Sequence, residues 1–249
     1  MSHTGKAIVS SDWNGCLAPC GPFDFISFTY PQIESDLTDV FTQYTGNRMT
    51  LVEAAERIMN LMPTSITSEQ IDAYLDESFA TYKGVAELIE WCLSKNIVFM
   101  INTTGIIGYF QRIFARGLLP RVPVISAHPM IRFPELKSDP PCVYELYETW
   151  DKARNTGAVF QSMDIPATKV VILGDSAGDG PHFEWGAEIG AFLIGSMTKP
   201  SLDQYCRKNN IVINLRFGPD YSREMAGECR MESQTNFMDL TAAIEEIAF

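Results

Sequence analysis

Short apolar runs alternate with longer amphipathic segments along the 249 residues of this chain. Runs typical of buried strands cover residues 7–9, 98–102, 122–126, 169–173, 191–194 and, at a sheet edge, 211–215. Apolar residues recur at helical spacing over residues 85–94, 106–117, 143–163, 181–189 and 240–249, whereas the proline-rich segment 127–142 is predicted to be irregular. Strands that alternate with helices predict an α/β fold with a Rossmann-like parallel sheet.

An all-helical insertion separates the first two predicted strands. Helical spacing recurs over residues 33–44, 50–62 and 68–82, and the segment 16–31 before them has the Gly, Pro and aromatic content of a loop. The pattern therefore predicts two domains. One is an α/β core formed by residues 1–17 and 83–249, and the other is a small helical domain formed by residues 18–82.

Polar residues follow three of the predicted strands at the points where the strands end. Asp12 and the turn residue Asn14 follow the first strand, and a Thr-Thr-Gly sequence at 103–105 follows the second. The sequence Gly-Asp-Ser-Ala-Gly-Asp at 174–179 follows the strand at 169–173. The carboxyl ends of parallel strands meet at one edge of a sheet, which is where open α/β sheets bind ligands. We therefore expect these side chains to form one acidic site.

The order and spacing of these motifs resemble those of a known family. An Asp after the first strand, a Thr after the second and Lys152 about 22 residues ahead of the GDSxxD sequence are similar to the motifs of the haloacid dehalogenase-like (HAD) superfamily. The resemblance covers residues 5–17 and 83–196, and the helical insertion resembles the C1-type cap of the phosphoserine phosphatase-like branch. It implies a HAD core with an inserted helical cap.

The resemblance implies roles for the acidic residues. Asp12 would be the nucleophile that attacks phosphorus and forms an aspartyl-phosphate, which splits a slow hydrolysis into two easier steps. Mg²⁺ is a hard cation that prefers oxygen ligands and can bridge to phosphate. It would bind the Asp12 carboxylate, the backbone carbonyl of Asn14 and the Asp175 carboxylate, with Asp179 in support.

The resemblance also implies which residues bind the phosphate group. Lys152 would contact both the phosphate and the nucleophile, because a carboxylate that approaches a phosphate dianion needs neutralising charge. Lys137 is the rival lysine. Thr103 would donate a hydrogen bond to a phosphoryl oxygen. Thr104 is the alternative, since a strand end is uncertain by a residue or two, and Gly105 completes the phosphate-binding segment.

One position departs from the family pattern. Phosphatases of this family usually carry a second Asp two residues after the nucleophile, where it acts as general acid and base, and this chain has Asn14 there. A carboxamide does not exchange a proton at neutral pH, so assistance worth roughly a hundred- to ten-thousandfold in rate is absent. The proposed metal ligand survives, because that ligand is the backbone carbonyl.

We expect a Mg²⁺-dependent, phosphatase-type hydrolase that acts on a small phosphorylated metabolite. A phosphate-binding or regulatory protein on the same scaffold is one alternative, because Asn14 removes the usual acid and a fold does not fix a function. A C–P or C–halogen hydrolase of the same superfamily is the other. Residues 15–82 contain no lysine for a Schiff base, and the acidic loop at 174–179 disfavours a halide, so both of these reactions rank lower.

Composition narrows the range of partners. The formal net charge is −12 and no cluster of Lys and Arg offsets it, so we expect no nucleic-acid partner. The six cysteines lack paired CxxC spacing, which predicts reduced thiols rather than disulfides or a structural zinc site. No apolar run approaches the length of a membrane span and no signal-like stretch opens the chain, so we expect no membrane association and a cytoplasmic location.

Overall fold

A seven-stranded parallel sheet lies at the centre of the computed structural model, which describes residues 5–46, 48–221, 232 and 234–249. Its strands are β1 Ala7–Ser11, β2 Ile97–Ile106, β3 Val124–His128, β4 Cys142–Glu145, β5 Val170–Gly174, β6 Phe192–Ser196 and β7 Leu215–Phe217. They are arranged in the order β4-β3-β2-β1-β5-β6-β7, and each neighbouring pair is parallel. The prediction of an α/β fold with a Rossmann-like parallel sheet is confirmed.

The strand β1 occupies the middle of the sheet, and the chain proceeds outward from it in both directions. Ser11, the last residue of β1, aligns with Ile101 of β2 and with Leu173 of β5. The backbone N–H of Asp12 donates to the Leu173 carbonyl at 3.1 Å. The ends of β1 and β5 are therefore adjacent at the point where the strand order reverses, which is the usual ligand-binding position in such sheets.

Ten α-helices accompany the sheet in the described part of the chain. Four of them lie within residues 18–82, between β1 and β2, namely α1 Asp24–Thr29, α2 Glu34–Thr45, α3 Leu51–Leu61 and α4 Ser68–Ser78. The other six are α5 Val85–Ser94, α6 Ile107–Ala115, α7 Asp151–Ser162, α8 Gly180–Ile189, α9 Pro200–Lys208 and α10 Thr241–Ala248. Thr50 and Thr67 begin α3 and α4 with capping boxes, which satisfy backbone donors that a helix start leaves unpaired.

Both faces of the sheet are buried, which explains why the strand sequences are continuous apolar runs. Val9 of β1 and Leu173 of β5 belong to the larger core cluster, which also contains residues of α5, α6 and the helices between β1 and β2. Ile8 of β1 and Ile172 of β5 belong to a second cluster with residues of α7, α8 and α9. Because each strand residue is committed to one face, the register of β1 against β5 is fixed.

Polar contacts attach the helices between β1 and β2 to the rest of the chain at two places. Arg112 of α6 makes a two-pronged ion pair with Asp72 of α4, with N–O distances of 2.8 and 2.7 Å. The Glu148 carboxylate accepts hydrogen bonds from two backbone N–H groups at the start of α3, the nearer at 3.2 Å. The division into a cap of residues 18–82 and a core stays a prediction.

Several local elements differ from the sequence-based expectations. Residues 143–150 are not helical, because residues 142–145 pair with β3 as strand β4 and this long-range pairing overrides the local spacing. The predicted loop 16–31 contains α1, whose Phe25 stacks on a tyrosine of α6. Helix α9 has no predicted counterpart, and the edge strand is Leu215–Phe217 rather than 211–215.

Two further observations concern the cysteines and the helices. The five cysteines that fall in the described residues are all unpaired, and Cys229 lies outside those residues. None of the ten helices in the described part of the chain combines the length and the hydrophobicity that crossing a lipid bilayer requires.

Candidate functional site

Three carboxylates meet where β1 and β5 end. Asp12 follows β1 directly, Asp175 follows β5 directly, and Asp179 closes a short 3-10 turn ahead of α8. One oxygen atom of each carboxylate lies within 4.8 Å of the oxygen atoms offered by the other two. Asp175 and Asp179 are fully buried, and Asp12 is 7% exposed. The structure therefore brings together three aspartates that the sequence places at two separate strand ends.

Two glycines permit this close approach. A Cβ atom on Gly174 would lie 2.6 Å from the Asp179 side chain, so a larger residue would push the turn away from β5. Gly15 has a φ of +76°, a left-handed conformation that glycine adopts at little cost. A Cβ atom there would lie 2.7 Å from Asp175 Oδ2. The turn after β1 therefore packs directly against the Asp175 carboxylate.

A buried ammonium group lies among the carboxylates. Lys152, in the first turn of α7, places Nζ 3.0 Å from Asp12 Oδ1 and 2.6 Å from Asp179 Oδ1. The second oxygen of Asp179 accepts hydrogen bonds from the backbone N–H groups of Asp175 and Ser176. The rival Lys137 is exposed and lines a separate cavity of about 410 Å³ beside α6. Lys152 is therefore the lysine that the fold brings to the acidic site.

The Asp175 carboxylate retains an oxygen atom without a partner. Its Oδ2 atom lies 2.5 Å from Nζ of Lys199, but its buried Oδ1 atom accepts no hydrogen bond from any described residue. Leaving such an oxygen buried and unpaired is costly. Three converging carboxylates offer the hard, anionic oxygen ligands that Mg²⁺ prefers. The donor set of Asp12, Asp175 and Asp179 therefore fits a divalent cation of this kind.

The predicted phosphate-binding residues lie beside Asn14. The Thr103 hydroxyl donates to Asn14 Oδ1 at 3.4 Å and accepts a hydrogen bond from the Gly105 N–H at 3.0 Å. Asn14 Nδ2 donates to the Cys20 carbonyl at 3.2 Å. Thr103 is fully buried, whereas Thr104 is half-buried. The two ends of the Asn14 carboxamide thus connect the end of β2 to the segment that leads into α1.

Solved structures of several proteins are similar to this chain over most of its length. A phosphoserine phosphatase in a phospho-aspartyl intermediate analogue form has a TM-score of 0.66 at 14% identity, and the match covers 96% of this chain and 99% of that one. A HAD family hydrolase from Salmonella enterica subsp. enterica serovar Typhi has a TM-score of 0.69 at 15% identity, over 97% of this chain and 72% of that one.

A substrate-bound phosphoserine phosphatase complex is a third example, with a TM-score of 0.61 at 15% identity over 80% of this chain and 90% of that one. This chain has a HAD-like fold of the phosphoserine phosphatase type. The resemblance predicted from the motifs is confirmed at that level. No known family model matches the sequence, and no curated protein does. The likeness is therefore one of fold, and the acidic site lies at the carboxyl end of the HAD-like sheet.

Burial and mutual repulsion disturb ionisation in the acidic site of this HAD-like fold. Burial raises the pKa of Asp175 from 3.8 to about 8, against the attraction of Lys199. Burial also raises the pKa of Asp12, although Lys152 opposes it. For Asp179, burial is outweighed by Lys152 and two backbone N–H groups, so the pKa is lowered. Lys152 and Asp179 therefore form the charged centre, and an ionised Asp175 needs a further cation.

A buried hydrogen-bond network holds Lys152 in place. Asn102 of β2 donates from Nδ2 to the Lys152 carbonyl and to the Thr156 hydroxyl, both at 2.9 Å. The Thr156 hydroxyl also lies 2.8 Å from the Ser10 hydroxyl and 3.0 Å from His182 Nε2. The network joins β1, β2, α7 and α8 beneath the site, and it fixes the turn of α7 that carries the lysine.

Sequence reasoning missed four residues at or beside this site. Asn102 carried a signal, since it is a polar residue at the end of an apolar run, but Lys199 carries none beyond its position ahead of Pro200. Tyr44 of α2 makes a hydrogen bond with Thr104 beside the site. Burial raises the pKa of Tyr44 to about 12, although Lys152 and this hydrogen bond oppose the rise. The fourth is Thr156, which the network above describes.

His182 lies within the network and not at the mouth of the site. Its ring is fully buried and stacks on Trp185, with ring centroids 5.9 Å apart. Burial, with help from the charge of Lys152, lowers its pKa to about 3. This imidazole is therefore neutral at physiological pH and serves as a structural partner of Thr156.

Replacing Asn102 by Leu should destabilise the protein through the network. The substitution removes the Asn102 donor from the Lys152 carbonyl and from the Thr156 hydroxyl, and each hydrogen bond lost costs about 0.5–1.5 kcal/mol. We expect the free energy of unfolding, from urea titration, to fall by about 2 kcal/mol or more. Ile101→Leu, at the neighbouring buried position of the same strand, is the matched control and should cost less than about 1.5 kcal/mol. Equal losses in the two variants would contradict the network's role.

Without divalent cations, the stability of the protein should fall as pH rises toward 8. The pKa of Asp175 is about 8 in the folded protein against 3.8 ordinarily, so the folded state holds this proton more tightly than the unfolded chain does. The resulting stability is fully present below about pH 4 and is lost as pH rises through about 8. The buried His182 has a lowered pKa and opposes this trend below its ordinary pKa of 6.5, so in EDTA the melting temperature should decrease between about pH 6.5 and pH 8.

The Asp175→Asn variant isolates this contribution, because an amide does not ionise. Its melting temperature in EDTA should change less steeply with pH than that of the wild type. Saturating Mg²⁺ should remove most of the decrease in the wild type, since an ion bound to the folded state stabilises it by linkage. Parallel pH profiles for the wild type and the variant in EDTA would show that Asp175 does not cause the effect.

Proposed function

We propose that this protein is a Mg²⁺-dependent, phosphatase-type hydrolase that acts on a small phosphorylated metabolite. The observation that carries the proposal is the Asp12 carboxylate, which buried Lys152 holds at 3.0 Å within a cluster of three carboxylates. The similar solved structures include a phospho-aspartyl intermediate analogue and a substrate-bound complex of phosphoserine phosphatase. Those two proteins support the same type of reaction for this chain.

Asp12 would carry the phosphoryl group. Lys152 holds Oδ1 of this carboxylate and so orients Oδ2 for attack on the phosphorus atom. A bond forms between Oδ2 and phosphorus while the bond from phosphorus to the leaving oxygen breaks, which gives an aspartyl-phosphate and an alkoxide or phenolate. Water then attacks the same phosphorus atom, releases inorganic phosphate and regenerates the carboxylate.

The phosphoryl oxygens would be bound by Lys152 and by a threonine at the end of β2. The ammonium group lowers the repulsion between the Asp12 carboxylate and the phosphate dianion. The Thr103 hydroxyl is 3.4 Å from Asn14 Oδ1, which is long for a bond whose optimum is about 2.7 Å. A phosphoryl oxygen would replace that contact at little cost. Thr104, half-buried and beside Tyr44, is the alternative donor.

Asp12, Asp175 and the backbone carbonyl of Asn14 would hold Mg²⁺, with Asp179 in support. The ion would supply positive charge that neutralises the phosphoryl group and the attacking carboxylate. The unpartnered Oδ1 atom of Asp175 supports this assignment. Asp179 has both oxygens engaged, one with Lys152 and one with backbone N–H groups, so its main task would be to position the lysine.

The residues that line the space beside Asn14 favour a leaving group without charge. The cavity there has a volume of only about 10 Å³, and none of its nine lining residues is charged. Its aromatic walls include Phe25 and Tyr74, from helices between β1 and β2, and Tyr109 from α6. A strongly ionic leaving group would lose its hydration there without meeting a counter-charge. We therefore infer a leaving group that is neutral.

Asn14 would restrict the reaction to leaving groups that need little protonation. Its carboxamide cannot transfer a proton, and both of its ends are bonded to neighbours. His182 does not supply the proton instead, because it is buried, neutral and bonded to Thr156.

The hydrogen bonds at both ends of the Asn14 carboxamide also favour the second candidate function, a phosphate-binding or regulatory protein. A Schiff-base C–P hydrolase has less support, since residues 15–82 contain no lysine.

Leaving-group ability should therefore control the rate of the wild type. Acyl phosphates and aryl phosphates of acidic phenols should be hydrolysed faster than alkyl phosphates, because they depart without a proton. Asn14→Asp should raise alkyl phosphate turnover by about a hundredfold, the scale of acid–base assistance. The new carboxyl group would face the Cys20 carbonyl, which favours the protonated form that an acid needs. Steady-state phosphate release in the presence of Mg²⁺ measures each rate.

Asp12→Asn is the control, and it should abolish turnover of every substrate. Wild-type hydrolysis of an alkyl phosphate at an ordinary enzymatic rate of ~10 per second would refute the role given to Asn14. Binding of phosphate with Mg²⁺ by the wild type and by Asn14→Asp, without turnover by either, would favour the binding protein over the hydrolase.

A further inference from the structure

We propose that Lys199 is a built-in counter-ion of Asp175 that competes with the divalent cation through its charge, so that binding of the ion at this carboxylate releases the Lys199 ammonium group outward. The inference rests on the proposed function in one respect, namely that Asp175 is a metal ligand. It adds a regulatory element, because the chain itself supplies the counter-charge of Asp175 in the metal-free site. The affinity for the cation is correspondingly lower than the three carboxylates alone would give.

The backbone places Lys199 next to Asp175. The Lys199 N–H donates to the Asp175 carbonyl at 2.8 Å, and α9 begins at the following residue, Pro200. The restricted φ of proline and the first turn of the helix hold the chain in this position. From there the side chain brings Nζ to 2.5 Å from Asp175 Oδ2. Since the backbone anchors the residue, this ion pair is a constructed part of the site.

Gly15 allows the Lys199 ammonium group to approach this oxygen closely. A Cβ atom on Gly15 would lie 2.7 Å from both Asp175 Oδ2 and Lys199 Nζ. Mg²⁺ requires ligands at about 2.1 Å in near-octahedral geometry and usually keeps several waters. An ion held by the unpartnered Oδ1 atom of the same carboxylate would lie close to the ammonium group on Oδ2, and the two positive charges would repel each other.

The charges of the site lead to the same conclusion. Asp12, Asp175 and Asp179 bring three negative charges, and Lys152 and Lys199 bring two positive ones. One divalent cation together with Lys152 would neutralise the three carboxylates. If Lys199 stayed in place, the same cation would leave an excess positive charge inside a buried site, where charges interact strongly.

Exposure shows which of the two lysines is able to leave. The Lys152 side chain is 1% exposed and has two carboxylate partners, so it would lose both without reaching water. The Lys199 side chain is 47% exposed and pairs with a single carboxylate. Its ammonium group can therefore move outward and become hydrated when a cation takes its place.

Removing the ammonium group should strengthen metal binding. We expect Lys199→Met to bind Mg²⁺ about two- to fivefold more tightly than the wild type in isothermal titration calorimetry, the scale of one partly exposed ion pair. Lys208→Met is the matched control, because it removes the same charge from an exposed position at the other end of α9. Its affinity should equal that of the wild type. An affinity of Lys199→Met equal to or weaker than that of the wild type would overturn the proposal.

The wild type provides a second measurement that does not depend on the folding of a variant. Amine labelling followed by mass spectrometry reports the accessibility of each lysine. Addition of Mg²⁺ should increase the labelling of Lys199 several-fold and leave that of Lys208 unchanged. A constant labelling of Lys199 under saturating Mg²⁺ would show that the ion does not displace it.

Neither measurement requires turnover, so the proposal and the hydrolase assignment fail separately. A tighter Mg²⁺ affinity in Lys199→Met together with no hydrolysis of any phosphate ester would support the competition and remove the proposed activity. Mg²⁺-dependent hydrolysis with an affinity that does not change in Lys199→Met would do the opposite.

Discussion

The ion pairs of the buried Lys152 ammonium group with Asp12 and Asp179 are the interaction on which the site depends. Removing a charged group from water costs several kcal/mol, and only close partners of opposite charge repay that cost. Contacts of 3.0 and 2.6 Å supply them here. Loss of one member would leave a buried charge uncompensated, at about 3–5 kcal/mol. The geometry of the site and the stability of the fold are therefore coupled.

Lys152 neutralises only part of the negative charge that the strand ends bring together. Asp175 is the carboxylate left over, and its raised pKa expresses the cost of ionising it without a further cation. The Lys199 ammonium group and a divalent ion are two alternative sources of the positive charge that an ionised Asp175 needs. The ammonium group is part of the chain, whereas the ion is bound from the solvent.

Sequence reasoning succeeds where the signal is local. Asp12 and Asp175 each follow an apolar run, and such runs mark strand ends without any knowledge of their neighbours. The place of Lys152 in the site is predictable only from the spacing of the family's motifs, because tertiary packing is what brings α7 to the site. Lys199 is not predictable, since its partner is distant in sequence and the two meet only when β5 and β6 pair. The strand β4 escapes prediction for the same reason, as its pairing with β3 overrides a local helical pattern.

Asp12 accepts a phosphoryl group from the substrate in the proposed reaction, and trapping that group on Asp12 tests this role most directly. The wild type would be mixed with Mg²⁺ and an aryl phosphate, quenched in acid and digested for peptide mass spectrometry. If Asp12 is the nucleophile, the Asp12 peptide should carry one added phosphoryl group, and the corresponding peptide of the Asp12→Asn variant should carry none. Continued hydrolysis with the phosphoryl group on another residue, or by the Asp12→Asn variant itself, would contradict it.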